Sequence, residues 1–403
     1  MNRRTLLKTG GMAVLGFGLG GCATRTARPQ MAPRRRIHLA PIRASWDRII
    51  RTTVGLRPHR PSGFRLEAEK LDDKTVIHNY GHGGAGLSLC WGTGAMAADM
   101  ALAQSSRRVA VIGSGAVGLA TTRQLQRRGF DVTIYAMAVP PDTTTNMAWG
   151  GFTPTSGLVA RDGRSPAWDV QFRTAVEIAY TEYQLLAGRD YGVAWMDNYA
   201  TLEELPTPGR QEPREFEDFS AGLLPDSISM AREVLQPGEH PFPTPYATVQ
   251  SSLQIQPPIF LDAMVRDVHL YGARTTIRKF DSPRDLMSLG ESVVINCSGL
   301  GSWSLFDDKE LTPVKGQLTF LVPQPEVNYQ YGCMPRSDGI ALGSSREPGV
   351  WSLEPNEETR QRIVTRAIER FAWMQSPVAG QRLTRSAAPV VAPRVESFYG
   401  LGS

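Results

Sequence analysis

Cysteine is scarce in this chain, with four in 403 residues. Cys90, Cys297 and Cys333 stand in unrelated surroundings, with no CxxC pair and no metal-ligand spacing. That argues against a disulfide framework and against a metal site, and leaves these thiols as small core residues. Charge of one sign is lacking as well: 44 Lys and Arg stand against 39 Asp and Glu, a net +5. Arg3, Arg4 and Lys8 lie in a terminal segment that reads as removed, which leaves +2. No Arg/Lys stripe interleaves with aromatics, so nucleic acid is not implied as a partner. A long apolar run is also missing. The weak Gly/Ala/Leu stretch ending at Leu19-Gly20-Gly21 is shorter than the roughly 20 strongly apolar residues that span a bilayer. What remains, 41% apolar over this length, can bury a large core and suffices for two structural domains.

The first residues read as an address. Arg3-Arg4-Thr5-Leu6-Leu7-Lys8 and the run behind it resemble a twin-arginine signal, the route that exports proteins already folded around a cofactor. Leu19-Gly20-Gly21-Cys22 resembles a lipoprotein processing box, which would lipidate Cys22 and tether the chain to a membrane. The expected location is the periplasm, free or anchored. The plain alternative is a disordered basic tail. Residues 22–45 are rich in Ala, Arg and Pro and read as a linker.

From Trp46 the composition is globular. Ser165-Pro166 supplies an N-cap and a first-turn proline for a helix through about Leu186, with Gly188 as its stop. Helices are expected at 259–271 and 355–373, strands at 274–280, 292–298, 316–322 and 339–343, and mostly loops and short strands over 201–258.

Chemistry enters at Arg108-Val109-Ala110-Val111-Ile112, a buried-strand pattern running into Gly113-Ser114-Gly115-Ala116-Val117-Gly118. A helix over 119–128, Gly129 and a second strand over 131–136 follow. In that strand–turn–helix–strand setting the glycines let backbone N–H groups and the positive helix end hold a pyrophosphate. The acid expected at the end of the second strand, for a ribose hydroxyl, is replaced by Ala136 and Met137. This favours FAD over NAD, because an FAD site has further anchors. Thr143-Thr144-Thr145, and Gly150 after Trp149, are placed to be such anchors.

Val76-Ile77-His78-Asn79-Tyr80-Gly81-His82-Gly83-Gly84-Ala85-Gly86-Leu87-Ser88-Leu89-Cys90-Trp91-Gly92 resembles the flavin-contacting signature of the D-amino acid oxidase and D-aspartate oxidase family. Gly55-Leu56-Arg57-Pro58, the Thr triplet, Ile295-Asn296-Cys297-Ser298-Gly299 and Lys315-Gly316-Gln317 match it too. The resemblance implies an α/β (α+β) fold, in which a Rossmann-type FAD-binding domain meets a mostly antiparallel-sheet substrate domain. It also implies that Arg57 pairs with a substrate carboxylate, that Tyr331 assists, and that the Gly84 carbonyl receives the substrate amine. Gly83, Gly86, Leu87 and Ser88 would surround the flavin, Ser298 would help hold FAD, and Gly113, Ser114, Gly115, Val117 and Gly118 would take the pyrophosphate. His78 and His82 read as structural or flavin-adjacent hydrogen-bonding groups, since Asn-Tyr-Gly and Gly-Gly exclude the helix that would pair them on a metal.

The order departs from the family's, because the Arg-Pro and His-Asn-Tyr-Gly segments precede the Rossmann strand instead of following everything. That resembles a circular permutation closed by a short join at 103–106. Arg51-Thr52-Thr53-Val54-Gly55-Leu56-Arg57-Pro58 is echoed at 382–389, where Ala388 replaces the substrate arginine, as in a decayed duplicate. The expected organisation is a signal at 1–21, linker 22–45, permuted flavin- and substrate-contacting segment 46–106, Rossmann core 107–160, substrate domain interleaved with FAD elements 161–375, and C-terminal segment 376–403. The segment between Gly316 and Tyr331 is shorter than the family's lid. The implied activity is oxidative deamination of an amino acid, D- by resemblance, with oxygen as acceptor. A dehydrogenase feeding a quinone or carrier, and a non-catalytic flavin-binding protein, are the alternatives. Assembly as a homodimer is left open.

Overall fold

The computed structural model describes residues 37–205, 219–228 and 231–375. The signal segment, Cys22 and the 382–389 echo with Ala388 lie outside the described residues. Along the chain run β1 (Ile49–His59), β2 (Arg65–Leu71), β3 (Lys74–Tyr80), α1 (Gly86–Leu102), β4 (Arg108–Ile112), α2 (Ala116–Arg127) and β5 (Asp131–Ala136). Next come α3 (Pro166–Leu186), β6 (Val193–Leu202), β7 (Glu233–Leu235), β8 (Tyr246–Ile255), α4 (Pro257–Leu270), β9 (Arg274–Ile277) and β10 (Val293–Asn296). The last are α5 (Ser302–Leu305), β11 (Thr312–Leu321), β12 (Tyr329–Gln330), β13 (Cys333–Arg336), β14 (Gly339–Gly343), β15 (Glu347–Pro348) and α6 (Glu357–Phe371).

Three sheets result, and the fold is α/β as expected. A six-stranded sheet has the order β2-β3-β10-β4-β5-β9 and is parallel except at the β2 edge. Strands with runs such as Val109-Ala110-Val111 sit at its centre, buried on both faces, as a parallel sheet requires. The other two sheets are β1-β11-β14-β13, fully antiparallel, and β12-β6-β8-β7, antiparallel but for the β12–β6 pair. The nucleotide-type sheet draws on three separate stretches of chain, and β10 inserts between β3 and β4.

Helix α1 explains how the early segment joins this sheet. Twelve of its residues are buried, and its first turn has no acid and its last no base to favour the helix dipole, so it is held by packing rather than by caps or propensity. It crosses α3 at Gly92, where a methyl would run into the Ala175 carbonyl, and α2 at Gly94, where a methyl would lie 2.9 Å from Thr121 N. Only residues 103–107 separate its end from β4.

Local signals behave as their chemistry demands. Ser165 accepts the Trp168 N–H at 3.2 Å to cap α3, and Asn356 accepts the Thr359 N–H at 3.0 Å to cap α6. The helix expected over 119–128 begins earlier, at Ala116, directly on the glycine turn. The loops expected over 201–258 conceal a ten-residue strand, β8, paired along its length with β6. Its Gln250-Ser251-Ser252 centre breaks the apolar alternation, and only partner-strand hydrogen bonds reveal it.

Candidate functional site

A cavity of about 780 Å³ opens where the three turns at the strand ends converge, the place where open parallel sheets bind ligands. The β4–α2 turn contributes Gly113, Ser114, Gly115, Val117 and Gly118, and the chain after β5 contributes Thr143, Thr144 and Thr145. Gly83, Gly84, Gly86 and Leu87 come from the β3–α1 turn, Ser298 from the turn after β10, and Arg57 from β1. Residues 241 positions apart in sequence thus share one wall-to-wall space. At its floor the Thr145 hydroxyl accepts the Ala116 N–H at 3.2 Å, and Ser114 donates to the Ala138 carbonyl at 2.7 Å.

Three expected residues are not brought to the cavity. Tyr331 is buried behind the antiparallel sheet, 4.7 Å from the Phe242 ring and 6.0 Å from Phe371, so its assignment to the substrate is corrected. Strand alternation separates the two faces of the sheet, and Tyr331, in the bend between β12 and β13, packs with the far one. Leu318, Phe320, Met334 and Ala341 form one face, toward the site, while Cys333, Ile340, Leu342 and Tyr331 pack on the other. Ser88 lies one layer back, accepting the Thr153 N–H at 2.8 Å and so holding the 151–153 strand of chain. Gly150 serves a turn at φ +98, where its carbonyl accepts the Ile255 N–H at 2.7 Å.

The substrate end has residues the sequence did not announce. A side hollow of about 80 Å³ shares Arg57, Ser156 and Ser344 with the main cavity and adds His59, Gly157, Ser345 and Arg346. Arg57 rests on the bare backbone of Gly316, where a methyl would lie 2.5 Å from Nη1, and it donates to the Ser345 carbonyl at 3.2 Å. Burial first, and the Arg346 charge second, bring its pKa down to about 10, so it stays a cation at neutral pH. Burial likewise lowers the His59 pKa, opposed by its bond to the Gly157 carbonyl at 3.0 Å and reinforced by Arg346. Two guanidiniums and a neutral imidazole therefore face one small space. Nothing in Ser344-Ser345-Arg346 marks it as a site in sequence, because it enters from the strand end after β14.

The cavity fits FAD on the chain's own chemistry. Its turn at Gly113–Gly118 approaches so closely that any side chain on Gly118 would fill it. The Asn79 side-chain oxygen is a buried acceptor bordering the space without a hydrogen-bond partner among the described residues. The acid missing at the end of β5 is not restored there, where Met137 is 71% exposed; Asp142 is the acidic lining residue, with Arg278 and Lys279 nearby. The three thiols are buried and pushed up to about 12, so they are unreactive at neutral pH.

His82 carries a testable consequence. It is buried against the Phe64 ring at 5.3 Å with its Nε2 3.1 Å from the Thr93 hydroxyl, and burial lowers its pKa to about 3. The unfolded chain binds this proton below about pH 6.5 while the folded one does not, so stability falls with acid. Between pH 7 and pH 5 the loss through His82 is expected to be about 2 kcal/mol. Urea unfolding at both pH values should show that loss shrinking in His82→Gln.

A family model described as FAD dependent oxidoreductase (DAO) matches residues 108–402. The chain is 26% identical to D-aspartate oxidase of Homo sapiens over 273 residues, covering 64% of this chain and 74% of that protein. It is 27% identical to a D-amino acid oxidase of Dugesia ryukyuensis over 271 residues, covering 64% and 75%. Among solved structures, glycine oxidase from Geobacillus kaustophilus aligns over 65% of this chain and 78% of its own, at 20% identity and a TM-score of 0.46.

Proposed function

The chain belongs to the FAD dependent oxidoreductase family whose model spans residues 108–402, and on that premise we propose that it oxidises the α-amine of an acidic D-amino acid. The observation that carries this is that Arg57 and Arg346 line one hollow at the cavity's end, where the Arg346 charge disfavours that of Arg57. A substrate with two carboxylates would bring an anion to each. Similarity to a D-aspartate oxidase supports the same class and the D configuration.

In this reading Arg57 grips the α-carboxylate through a planar fork that Lys cannot copy, and Arg346 takes the side-chain carboxylate. The Gly84 carbonyl receives the amine. The Gly113–Gly118 turn, the Thr143–Thr145 hydroxyls, Ser298 and the 83–87 backbone hold FAD. Bound there, FAD supplies the acceptor for a hydride from the substrate Cα. The chain's part is to orient that carbon and to exclude water, with Trp149, Met147 and Leu318 closing the wall. The imino acid released hydrolyses in water to a keto acid and ammonia.

We further read residues 46–106 as the permuted C-terminal part of the family fold. They lie outside the matched span, yet β3 pairs with β10 and β1 with β11 inside it. Export through the twin-arginine segment, with lipid attachment at Cys22, is the companion proposal.

The test is anaerobic addition of D- and L-amino acids to the purified flavoprotein. D-aspartate or D-glutamate should bleach the flavin band at least about tenfold more efficiently than neutral D-amino acids, because only they bring a second carboxylate to the Arg346 charge. Bleaching by neutral substrates alone would defeat the acidic assignment. Oxygen uptake against dye reduction then separates an oxidase from a dehydrogenase.

A further inference from the structure

Behind the cavity wall a run of buried side chains links the surface to Ser298. Glu69, on the edge strand β2 and 39% exposed, is held by Arg65 at 2.9 Å, and its other oxygen lies 3.0 Å from His78 Nε2. His78 Nδ1 is 3.1 Å from Asn296 Nδ2, which also reaches the Ser302 hydroxyl at 3.0 Å. Ser302 Oγ is 2.8 Å from Ser298 Oγ. His78, Asn296 and Ser302 are fully buried, and Ser298 borders the cavity.

One backbone group fixes the orientation of the Asn296 amide in this run. The Ser298 N–H donates to the Asn296 side chain at 3.2 Å, so the atom receiving it is the amide oxygen, and the amide nitrogen faces His78 and Ser302. His78 Nδ1 must then accept, which puts the imidazole proton on Nε2, toward Glu69. The Ser302 oxygen receives the second amide hydrogen and can pass its own to Ser298. With Ser302 as donor, the Ser298 hydroxyl keeps its hydrogen for the cavity. Burial lowers the His78 pKa, with Glu69 opposing, and the ring is fixed edge-on to Phe306 at 4.7 Å.

We propose that Glu69, His78, Asn296 and Ser302 are positioning residues that lock the Ser298 hydroxyl as a donor to bound FAD. If Glu69 is removed, the His78 ring loses the group that lies 3.0 Å from its Nε2, its Nδ1 is no longer held against the Asn296 amide, and the alignment of the run is lost. The inference rests on FAD occupying the cavity and not on the substrate, so its test reads FAD alone.

The experiment follows the fluorescence recovered as FAD leaves the diluted holoenzyme, in full-length wild type, Ser298→Ala, Glu69→Ala and the double variant. Ser298→Ala should speed release about tenfold, the weight of one hydrogen bond to a charged or strongly polar partner. Glu69→Ala should speed it about threefold in the wild-type background and add nothing in the Ser298→Ala background, because both remove one interaction. Glu69→Gln, whose amide oxygen still accepts from Nε2, should stay within about twofold of wild type. His78→Phe, packed on Phe306, repeats the cycle from inside the run. Equal effects of Glu69→Ala in both backgrounds, no effect in either, or Glu69→Gln behaving as Glu69→Ala would each overturn the proposal.

Discussion

Replacing Arg57 by alanine is expected to lower kcat/KM for D-aspartate or D-glutamate by about two to three orders of magnitude while FAD stays bound. The guanidinium is desolvated, and its described contacts are a backbone carbonyl and the flat Gly316 peptide. Its charge therefore has no carboxylate partner among the described residues, and a substrate carboxylate would supply one. Truncating one side of such a buried pair costs about 2–5 kcal/mol, which sets the size of the drop. Stability should move the other way or not at all, since removing a buried cation that sits beside Arg346 relieves repulsion. That opposition of signs separates a binding arginine from a structural one. Arg57→Lys should recover only part of the loss, because an ammonium in the same place cannot make the two-pronged contact. Steady-state kinetics with a flavin spectrum and a thermal melt on the same samples decide it, and a drop below about fivefold in kcat/KM would remove Arg57 from the site.

Much of this site was legible in sequence where backbone geometry dictates residue type. Gly113 and Gly118 announce a tight strand-to-helix turn, and the His78–Gly92 stretch, with Gly94 just beyond it, carries small residues where α1 presses on its neighbours at Gly92 and Gly94. Such positions tolerate nothing else, so identity alone reveals them. Tyr331 shows the limit: the residue was visible, but which face of the sheet it occupies depends on register, and one position of uncertainty exchanges core for site. Arg346 shows the other limit. Arginine is common on surfaces, and it is the pairing of β1 with β11, and of β11 with β14 and β15, that carries the segment after β14 near Arg57. The relay behind Ser298 was hidden for the same reason, as His78 and Asn296 are 218 residues apart and meet only because β3 and β10 pair in parallel.

Gly118→Ala is expected to cost the protein its flavin, with FAD affinity down by at least about a hundredfold. At an ordinary helix position this exchange would stabilise by up to about 1 kcal/mol, since alanine is the better helix former. Here the added methyl would run into the Gly113 carbonyl, and Gly113, at φ +108, has its own open side against the Cys297 carbonyl. The turn is wedged between two backbones and has nowhere to retreat. The strain must therefore lift the amides of residues 113–116 away from the place where they meet the pyrophosphate, or loosen α2 by about 1–3 kcal/mol, the usual penalty of overpacking. Both effects come from the same clash, so a lowered melting temperature should accompany colourless preparations. Gly129→Ala is the control. It also disturbs a glycine of positive φ, at +80, but with nothing within 4 Å of the new methyl, so it should lower stability by about 1 kcal/mol and leave the FAD affinity unchanged. Wild-type FAD affinity in Gly118→Ala would mean that the cofactor's phosphates lie elsewhere in the cavity.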